Sequence, residues 1–362
     1  MTRLIVIEPN LRGPAGHYAE FVRAVGTVAG EDPIDVYAHP DADGMLAAMA
    51  GARPWTAQPR VGRPLAEWKM IFRAVREEVP FLVLTADGRH AAAVSAAGIC
   101  YKRAPRNACL FFHRPPDTGR DRLLLPFADL ARKHALAVAA TEEIARSLSD
   151  GGWKRVELVA YPALAAESLP APAPFSRLLM AGAARLNKGL DLVAELALLW
   201  ADQGRSIPLL VQVSKKHINR HGSREKAFVE ALFASGYQGL RVSETAPDRL
   251  EYIERFRGAL VLAPYARQQF ASQVSGVVLD ALLSGAPVIA TSDTWPGRQV
   301  ERFGAGVTIR ERTAAALAEA IDRILSEWTI YSERACEAAG VLRREHDPIR
   351  LLKVLEEGTT RS

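Results

Sequence analysis

Short apolar runs of strand length alternate with helix-length amphipathic segments along the whole 362-residue chain. In the first half, the apolar runs predict six buried strands, at residues 3–9, 34–38, 81–85, 108–112, 135–140 and 156–160. Helices are predicted from the amphipathic stretches between them, at residues 17–29, 65–78 and 141–149. Alternation of strands and helices is typical of a parallel sheet covered by helices on both faces. We therefore expect an α/β fold.

The same pattern restarts after a proline-rich interruption. Four prolines between Pro162 and Pro174 break any regular element in the stretch YPALAAESLPAPAPFS. Beyond it, further strands are predicted at residues 178–182, 208–213, 239–243, 259–263 and 286–291. We predict two doubly wound, Rossmann-like domains that face a central cleft. The predicted boundaries are 1–170 for the first domain, 171–340 for the second, and 341–362 for a helix that crosses back to the first domain.

Composition excludes several classes of protein. Hydrophobic residues make up 49% and charged residues 24% of the chain, which is ordinary for a soluble enzyme and unlike disordered or collagen-like chains. The three cysteines (Cys100, Cys109 and Cys336) show no CxxC spacing, which disfavours a disulfide framework or a structural zinc site. The sequence shows no signal-peptide pattern and no apolar run of membrane-spanning length, so we expect a cytoplasmic protein. A net charge of only +5 argues against nucleic acid as a partner.

The stretch from 261 to 291, VLAPYARQQFASQVSGVVLDALLSGAPVIAT, carries most of the chemical information. It predicts a strand, a polar loop, a helix that begins at Ser275 and Gly276, and a second apolar strand. A serine and a glycine at a helix start leave backbone N–H groups free to bind an anion, and the helix dipole adds to that attraction. Asp280, about one turn further on, can accept hydrogen bonds from a ribose diol. The alternative is that Ser275 only caps the helix and that Asp280 is a solvated helix residue.

The segment GVVLDALLSGAPVIAT resembles the C-terminal signature of GT-B glycosyltransferases of the large family 4 type (glycosyl transferases group 1), EGFGLVVLEAMACGVPVIAT. That family has two acids in the spacing E-x7-E. The second acid binds the nucleotide ribose, the first contacts hydroxyls of the donor sugar, and the amides between them hold the diphosphate. The resemblance implies the GT-B fold, with an acceptor-binding domain at 1–170 and a nucleotide-sugar-binding domain at 171–340. It assigns the ribose to Asp280 and the diphosphate to the amides of Ser275, Gly276 and Val277.

The sequence departs from this signature at the first acid. Ser272 stands eight positions before Asp280, where the family has glutamate. Two explanations remain open: a neighbouring polar group, Gln273 or Ser275, contacts the sugar instead, or the donor has a hydroxyl pattern unlike that of the common hexoses.

A second match lies at the start of the second half, in LLMAGAARLNKGLDLVAEL. Gly182, Lys188 and Gly189 resemble the strand–turn–helix pattern G-R-x4-K-G of the same family, in which the arginine and the lysine neutralise the departing β-phosphate. Ala183 occupies the usual arginine position, and Arg185 is the nearest basic replacement. Negative charge builds on the leaving diphosphate in the transition state, so a cationic pair there suits the chemistry. Two solvated loop residues are the alternative.

Candidates in the first half are fewer. The loop PNLRGPAGHYAEFV, with Gly13 and Gly16, resembles the glycine-rich first loop of the family, which faces the donor phosphate or the acceptor. A tight strand–helix connection is the alternative; Gly16 is a donor-binding candidate and His17 a weaker acceptor or sugar contact. His113, in LFFHRPP, follows a buried strand at the edge where such sheets bind ligands. Many family members have a histidine there against the donor sugar, so His113 is a candidate catalytic residue, with Asp87 of LTADG as a weaker companion.

Other charged segments give weaker signals. Asp41 and Asp43 form a D-x-D, the metal-binding pattern of GT-A enzymes, but their turn-rich loop indicates solvated side chains. We expect no metal and no cofactor, with the nucleotide sugar as substrate. Basic residues concentrate at 102–133 and 214–226, where they would meet a phosphate-bearing acceptor or the anionic inner face of the membrane as a peripheral contact. Ordinary surface charge is the alternative.

The resemblance implies transfer of a sugar from a nucleotide-diphosphate donor to a hydroxyl of a glycan, a lipid-linked sugar or a small molecule, with polysaccharide biosynthesis as the typical process. It also implies retention of anomeric configuration without a metal, with the departing phosphate helping to deprotonate the acceptor. The nucleotide base of the donor is expected to be recognised around residues 243–246. Two alternatives stay open: another GT-B enzyme, such as a nucleotide-sugar epimerase, and a non-catalytic sugar-nucleotide-binding partner of a transferase.

Overall fold

The computed structural model describes residues 4–14, 16–29, 34–49, 51–54, 63–116, 119–164, 168–213, 223–245 and 247–360. The chain divides into two compact units, Met1–Leu164 together with Glu345–Ser362, and Ala165–Arg344. Each unit is built on one parallel β-sheet. The predicted fold class, α/β with two doubly wound sheets, is confirmed.

The sheet of the first unit has seven strands in the order β3-β2-β1-β4-β5-β6-β7. The strands are β1 (Ile5–Ile7), β2 (Ile34–Tyr37), β3 (Ala52–Pro54), β4 (Phe81–Val83), β5 (Ala108–Phe112), β6 (Leu136–Ala139) and β7 (Val156–Leu158). Every residue of β1, β4, β5 and β6 is buried. Helices cover both faces of such a sheet, which explains why these strands are continuous apolar runs in the sequence.

Among the described residues, seven α-helices lie between consecutive strands of this sheet along the chain. They are α1 (His17–Ala29), α2 (Asp43–Ala47), α3 (Arg63–Glu77), α4 (Gly88–Tyr101), α5 (Gly119–Leu124), α6 (Asp129–His134) and α7 (Glu142–Asp150). Local chemistry sets their ends: Thr141, for example, caps α7 by accepting a hydrogen bond from the backbone N–H of Ile144.

The sheet of the second unit has six strands in the order β10-β9-β8-β11-β12-β13. The strands are β8 (Arg177–Met180), β9 (Leu209–Gln212), β10 (Leu240–Ser243), β11 (Ala259–Ala263), β12 (Val288–Thr291) and β13 (Gly306–Ile309). The described helices are α8 (Leu190–Asp202), α9 (Ser223–Ala234), α10 (Arg249–Glu254), α11 (Arg267–Phe270), α12 (Gly276–Leu283), α13 (Trp295–Phe303), α14 (Ala314–Ser326) and α15 (Trp328–Glu345). The core packs around the fully buried Trp200 of α8.

Two of these strands have no counterpart among the predicted ones. β3 is the three-residue edge strand Ala-Arg-Pro, in which only Ala52 is buried. β13, with the sequence GVTI, is also an edge strand, and only Ile309 is buried in it. Edge strands need fewer apolar residues than central ones and tolerate proline. Hydrophobic runs therefore revealed the centre of each sheet but not these edges.

The C-terminal segment belongs to the first unit. It forms α16 (Ile349–Thr360), whose side chains Leu351, Leu352 and Leu355 are buried and which lies against α1. Upstream of the helix, the backbone N–H of Ala163 donates to the carbonyl of His346 over 3.0 Å. The chain thus leaves the first unit near Leu164 and returns to it at Glu345.

The order of strands reverses at one point in each sheet. β1 lies between β2 and β4, and β8 lies between β9 and β11. Doubly wound sheets bind ligands at the carboxyl ends of the strands that flank such a reversal. Residues 8–16 and 84–87 occupy that position in the first unit, and residues 181–189 and 264–275 occupy it in the second. Topology therefore directs attention to the loops that carry most of the predicted site residues.

Candidate functional site

The loop between β8 and α8 is held tightly in place. The backbone N–H of Gly182 donates to Oε1 of Gln212 over 3.3 Å, and that of Ala184 donates to the Gln212 carbonyl over 2.9 Å. At its other end, Gly189 has a φ of +87°, and a Cβ there would lie 2.5 Å from Cγ of Pro264. Only glycine suits that backbone conformation and that close approach. The loop is therefore fixed against both β9 and the segment after β11.

Lys188 lies where this loop meets the start of α12. A Cβ built on Gly182 would be 3.6 Å from Nζ of Lys188 and 3.1 Å from Cγ2 of Val277. The Lys188 Nζ also lies 5.6 Å from the ring centroid of Tyr265, in a cation–π arrangement. The structure thus brings together three of the features predicted from sequence: the loop glycine, the lysine and the first turn of the helix.

Two positive charges meet in this loop. Burial, together with the nearby Arg185 guanidinium, lowers the pKa of Lys188 to about 8. Like charges held close together in a partly desolvated place are unfavourable by themselves. A bound anion would remove this repulsion and restore the Lys188 pKa, so the pair is suited to hold a diphosphate.

The N-terminus of α12 adds hydrogen-bond donors. Ser275 is the cap, and its hydroxyl accepts a hydrogen bond from the backbone N–H of Val278 over 3.3 Å. The first N–H groups of a helix have no carbonyl partner within the helix, so those of Gly276 and Val277 are available to an anion. Burial raises the pKa of Tyr265 to about 12, against the effect of a hydrogen bond with the Ser275 side chain. Tyr265 is therefore neutral beside the cap.

Asp280, the predicted ribose ligand, is half-buried and held by α10. The Tyr252 hydroxyl donates to its Oδ2 over 3.0 Å, and a guanidinium nitrogen of Arg249 lies 3.9 Å from its Oδ1. Burial raises the pKa of Tyr252 well above its ordinary value, and the Asp280 charge adds to that shift. These contacts thus hold the Asp280 carboxylate in one orientation. It is not a solvated group that rotates freely. Sequence reasoning missed Tyr252 and Arg249.

Ser272 and Gln273 lie in the segment between α11 and α12, just before the Ser275 cap, and both are partly buried. Their contact with a donor sugar stays a prediction. Ser243, at the end of β10, donates to the Thr245 carbonyl over 3.2 Å. Residue 246 of the predicted base-binding segment and residues 214–222 of the basic loop lie outside the described residues.

In the first unit, Glu8 organises the loop after β1. Sequence reasoning missed this residue. Glu8 is fully buried; its Oε2 accepts from the Thr85 hydroxyl over 2.6 Å, and its Oε1 accepts from the backbone N–H of Asn10 over 2.9 Å. Burial raises the Glu8 pKa against these hydrogen bonds. The carboxyl group fastens the glycine-rich loop to the loop after β4. Gly16 is exposed at the end of that loop, and the side chain of His17 lies outside the described residues.

Asp87 has a structural role that the sequence reading did not assign. It caps α4 by accepting from the backbone N–H of Arg89 over 2.9 Å, and its own N–H donates to Nδ1 of His90. Burial acts to raise the Asp87 pKa, but His90 and Arg89 outweigh it and hold that pKa well below its usual range. The buried Glu67 lies 3.6 Å from Nε2 of His90. A contact between Asp87 and the acceptor stays a prediction.

His113 follows β5, on the same sheet edge as Glu8 and Asp87. Its Nε2 donates to the carbonyl of Leu84. Its ring packs against Phe111 at 4.9 Å and Tyr161 at 5.3 Å between centroids. The ring is therefore fixed in position and tautomer, as a residue that faces a ligand needs to be.

The D-x-D lies on an exposed turn, as expected. The Asp41 carboxylate lies 3.1 Å from Nδ1 of His39, and Asp43 begins α2. Within the part of the chain that the structure describes, no group of three or more His, Cys, Asp or Glu side chains could hold a metal ion.

Two doubly wound sheets in one chain, with cations and a helix N-terminus at the strand reversal of the second, define the GT-B fold. Solved structures agree over nearly the whole chain. HepE of Anabaena in complex with UDP-glucose has a TM-score of 0.72 at 14% identity and covers 99% of both chains. Sucrose-phosphate synthase of Thermosynechococcus elongatus has a TM-score of 0.72 at 15% identity and covers 100% of both.

WaaG, a glycosyltransferase involved in lipopolysaccharide biosynthesis, has a TM-score of 0.67 at 14% identity and covers 97% of this chain and 99% of its own. No family model and no curated protein sequence matches the chain. At such low identity the likeness establishes the fold, and the chain accordingly has the GT-B fold of glycosyltransferases.

Proposed function

We propose that the protein is a glycosyltransferase of the family 4 type that moves a sugar from a nucleotide-diphosphate donor to an acceptor hydroxyl. One observation carries this proposal: Lys188 and the first turn of α12 converge on Gly182 at the strand reversal of the second sheet, with Arg185 close by. Clustered cations and helix N–H groups form a diphosphate site. HepE, which shares the fold, has been crystallised with UDP and glucose, and this supports the same donor class.

The donor would bind in the second domain, 171–340. The amides of Ser275, Gly276 and Val277 would hold the diphosphate, and Asp280 would accept hydrogen bonds from the ribose. Gln273, with Ser272, would contact the sugar. Tyr252 supports the assignment of Asp280, because a carboxylate fixed on one oxygen keeps the other in a constant position.

The chemical step rests on charge. Negative charge grows on the departing phosphate, and stabilisation that is stronger in the transition state than in the ground state accelerates the reaction. Lys188 and Arg185 supply positive charge at that phosphate, so transfer is proposed to need no metal. We propose retention of configuration, with the leaving phosphate taking the acceptor proton and with His113 against the donor sugar. No side chain is assigned as general base.

The acceptor would bind in the first domain, 1–170, near Gly16, His17 and Asp87. A glycan, a lipid-linked sugar or a small molecule suits this assignment, with polysaccharide biosynthesis in the cytoplasm as the proposed setting. Among the described residues, no helix has both the length and the hydrophobicity to cross a bilayer.

A peripheral contact with the inner face of the membrane is part of the proposal. Three large apolar side chains of the first unit are exposed on neighbouring elements: Ile99 (69%), Leu123 (74%) and Phe127 (69%). Lys102 and Arg103 stand three and four residues after Ile99. Exposed apolar groups beside basic ones favour an anionic lipid surface. Co-sedimentation with phosphatidylglycerol vesicles should fall at least severalfold in Leu123→Ser/Phe127→Ser, and unchanged binding would contradict this contact.

The first test is thermal stabilisation by UDP, GDP, ADP, dTDP and CDP and their common sugars. One nucleotide should raise the Tm of the wild-type protein, because a ligand that binds only the folded state stabilises it. Asp280→Ala and Lys188→Ala should lose that shift, whereas Lys226→Ala, an exposed lysine of α9, should keep it. If no nucleotide raises the Tm, the proposal is overturned.

Donor turnover separates the two alternatives. Transfer to an added acceptor, or slow donor hydrolysis, is expected of a transferase. Binding without either would indicate a non-catalytic partner of a transferase. Conversion of the donor without an acceptor would indicate an epimerase or a related GT-B enzyme.

A further inference from the structure

A pocket of about 520 Å³ lies on the edge of the first unit's sheet opposite to His113 and Asp87. It is formed where β5, β6 and β7 begin and where α16 ends. Parallel strands all begin at the same edge, so this pocket is separated from the ligand-binding edge by the length of the strands. The donor and acceptor sites of the proposed function do not include it, although Arg106 and Lys133 belong to the basic segment 102–133.

The charges of the pocket are unevenly compensated. Arg106, Lys133, Lys154 and Arg155 line it, against the two carboxylates Glu157 and Glu357. Lys133 already pairs with Asp129, with 2.8 Å between Nζ and Oδ2. The side chains of Arg106 and Lys154 form no ion pair or hydrogen bond with any residue that the structure describes.

Arg155 is fixed without losing its charge. Its guanidinium donates to the carbonyl of His134 over 2.9 Å and to the carbonyl of Gly358. Both acceptors are neutral, and no carboxylate among the described residues forms an ion pair with the guanidinium. A guanidinium held in this way presents its remaining N–H groups in a constant direction. Such groups match the oxygens of a phosphate.

Gly358 permits this arrangement. A Cβ at this position would lie 2.7 Å from Cδ2 of Leu136. A glycine within a helix costs about 1 kcal/mol relative to alanine, and here it lets α16 approach β6 closely enough for its carbonyl to reach Arg155. A larger residue at this position would require the Leu136 side chain to move, whereas glycine leaves the close approach undisturbed.

We infer that this pocket binds a phosphorylated molecule that also carries hydroxyl groups, such as a sugar phosphate. Arg106, Lys154 and Arg155 would hold the phosphate, and the carboxylates of Glu157 and Glu357 would accept hydrogen bonds from hydroxyls. A purely anionic ligand would not need these two acids, whereas a neutral sugar would not need the cations. Because the pocket joins strand ends to α16, its ligand fastens the C-terminal helix to the first unit.

Hydrogen exchange measured by mass spectrometry locates this binding and separates it from the donor site. Glucose 6-phosphate, at constant ionic strength, should slow exchange in peptides that cover 153–158 and 349–360. Peptides 182–189 and 275–280 report on the donor site independently, so failure of the proposed donor site leaves this result readable. Inorganic phosphate should protect the same peptides with weaker affinity, and glucose should not protect them.

The discriminating variant is Arg106→Gln/Lys154→Gln, whose exposed side chains form no hydrogen bond or ion pair with the described residues. Its affinity for glucose 6-phosphate should fall about tenfold, as expected for the loss of two charged phosphate contacts. Arg146→Gln/Arg257→Gln, which removes two exposed cations elsewhere, should bind like the wild type. Equal protection by glucose alone, or equal affinity in the two double variants, would overturn the inference.

The same phosphate chemistry is also present in lipid headgroups. Binding to phosphatidylglycerol vesicles that depends on Arg106 and Lys154, without protection by glucose 6-phosphate, would support the site and assign its phosphate to a lipid. Protection by glucose 6-phosphate would assign it to a soluble ligand. If neither probe protects the two peptides, the pocket is not a phosphate site.

Discussion

Replacing Lys188 by methionine should stabilise the ligand-free protein while removing its affinity for a diphosphate. The folded protein lowers the pKa of Lys188 to about 8 from its ordinary 10.5, mainly through burial. The unfolded chain retains the ordinary value and therefore binds this proton more tightly. Protonated Lys188 thus works against folding, a cost that is expected where a charge is kept for binding a ligand.

The size of this cost follows from the two pKa values. At about 1.4 kcal/mol for each pH unit between them, it is about 3 kcal/mol at neutral pH. Because the folded pKa is the lower one, the cost is fully present below pH 8 and disappears as the pH rises towards 10.5. Methionine fills similar space without charge but gives up the cation–π contact with Tyr265, worth about 1 kcal/mol. We expect a net stabilisation of about 2 kcal/mol at pH 7, from the difference of these two effects.

Urea unfolding of the wild type and Lys188→Met between pH 7 and 10.5 tests this reasoning. The variant should be more stable at pH 7, and the difference should shrink as the pH rises through 8. Lys226→Met, at an exposed position of α9, should show no such trend. Pyrophosphate should stabilise the wild type at pH 7, less so above pH 8, and the variant not at all. The predicted cost of the Lys188 charge would be refuted if Lys188→Met were less stable than the wild type at pH 7, or if the difference in stability between them did not change with pH.

Two further substitutions test how the site is held. Tyr252→Phe removes the hydroxyl that donates to Asp280, so the donor KM should rise about tenfold and the free energy of unfolding should fall by about 1–2 kcal/mol, as measured by donor kinetics and urea unfolding. An unchanged KM would show that Asp280 does not need this partner. Gly189→Ala places a Cβ against Pro264 and should cost more than 2 kcal/mol, approximately the sum of strain and overlap. Gly204→Ala, with a similar φ of +65° and open space around it, is the control and should cost about half as much.

Sequence periodicity was sufficient for the fold class because the central strands are apolar on both faces. The runs that became β1, β4 and β11 are buried throughout. Sequence periodicity did not predict the edge strands, because β3 contains a proline and β13 is mostly half-buried. Burial on both faces produces a run of apolar residues in the sequence, whereas pairing along one edge depends on backbone groups and produces no such run.

The candidate site divides in a similar way. Lys188 and the first turn of α12 were found because short local patterns define them. Tyr252 could not be found, since it reaches Asp280 across 28 residues of sequence and no local spacing relates them. Glu8 offered a signal that went unused: an acid that directly ends an apolar strand has to find partners, and it found Thr85 on a neighbouring loop.

The return of the chain to the first unit at Glu345 has a consequence for synthesis on the ribosome. Residues 165–344 form a unit that is continuous in sequence, so all of its strands can pair as soon as Arg344 has emerged. The first unit, although its sheet emerges earlier, lacks α16 until the chain has been extended to Thr360. During translation, the α1 surface that α16 covers in the folded protein therefore remains exposed while the second unit forms its core. The half that is made first is the half that finishes folding last.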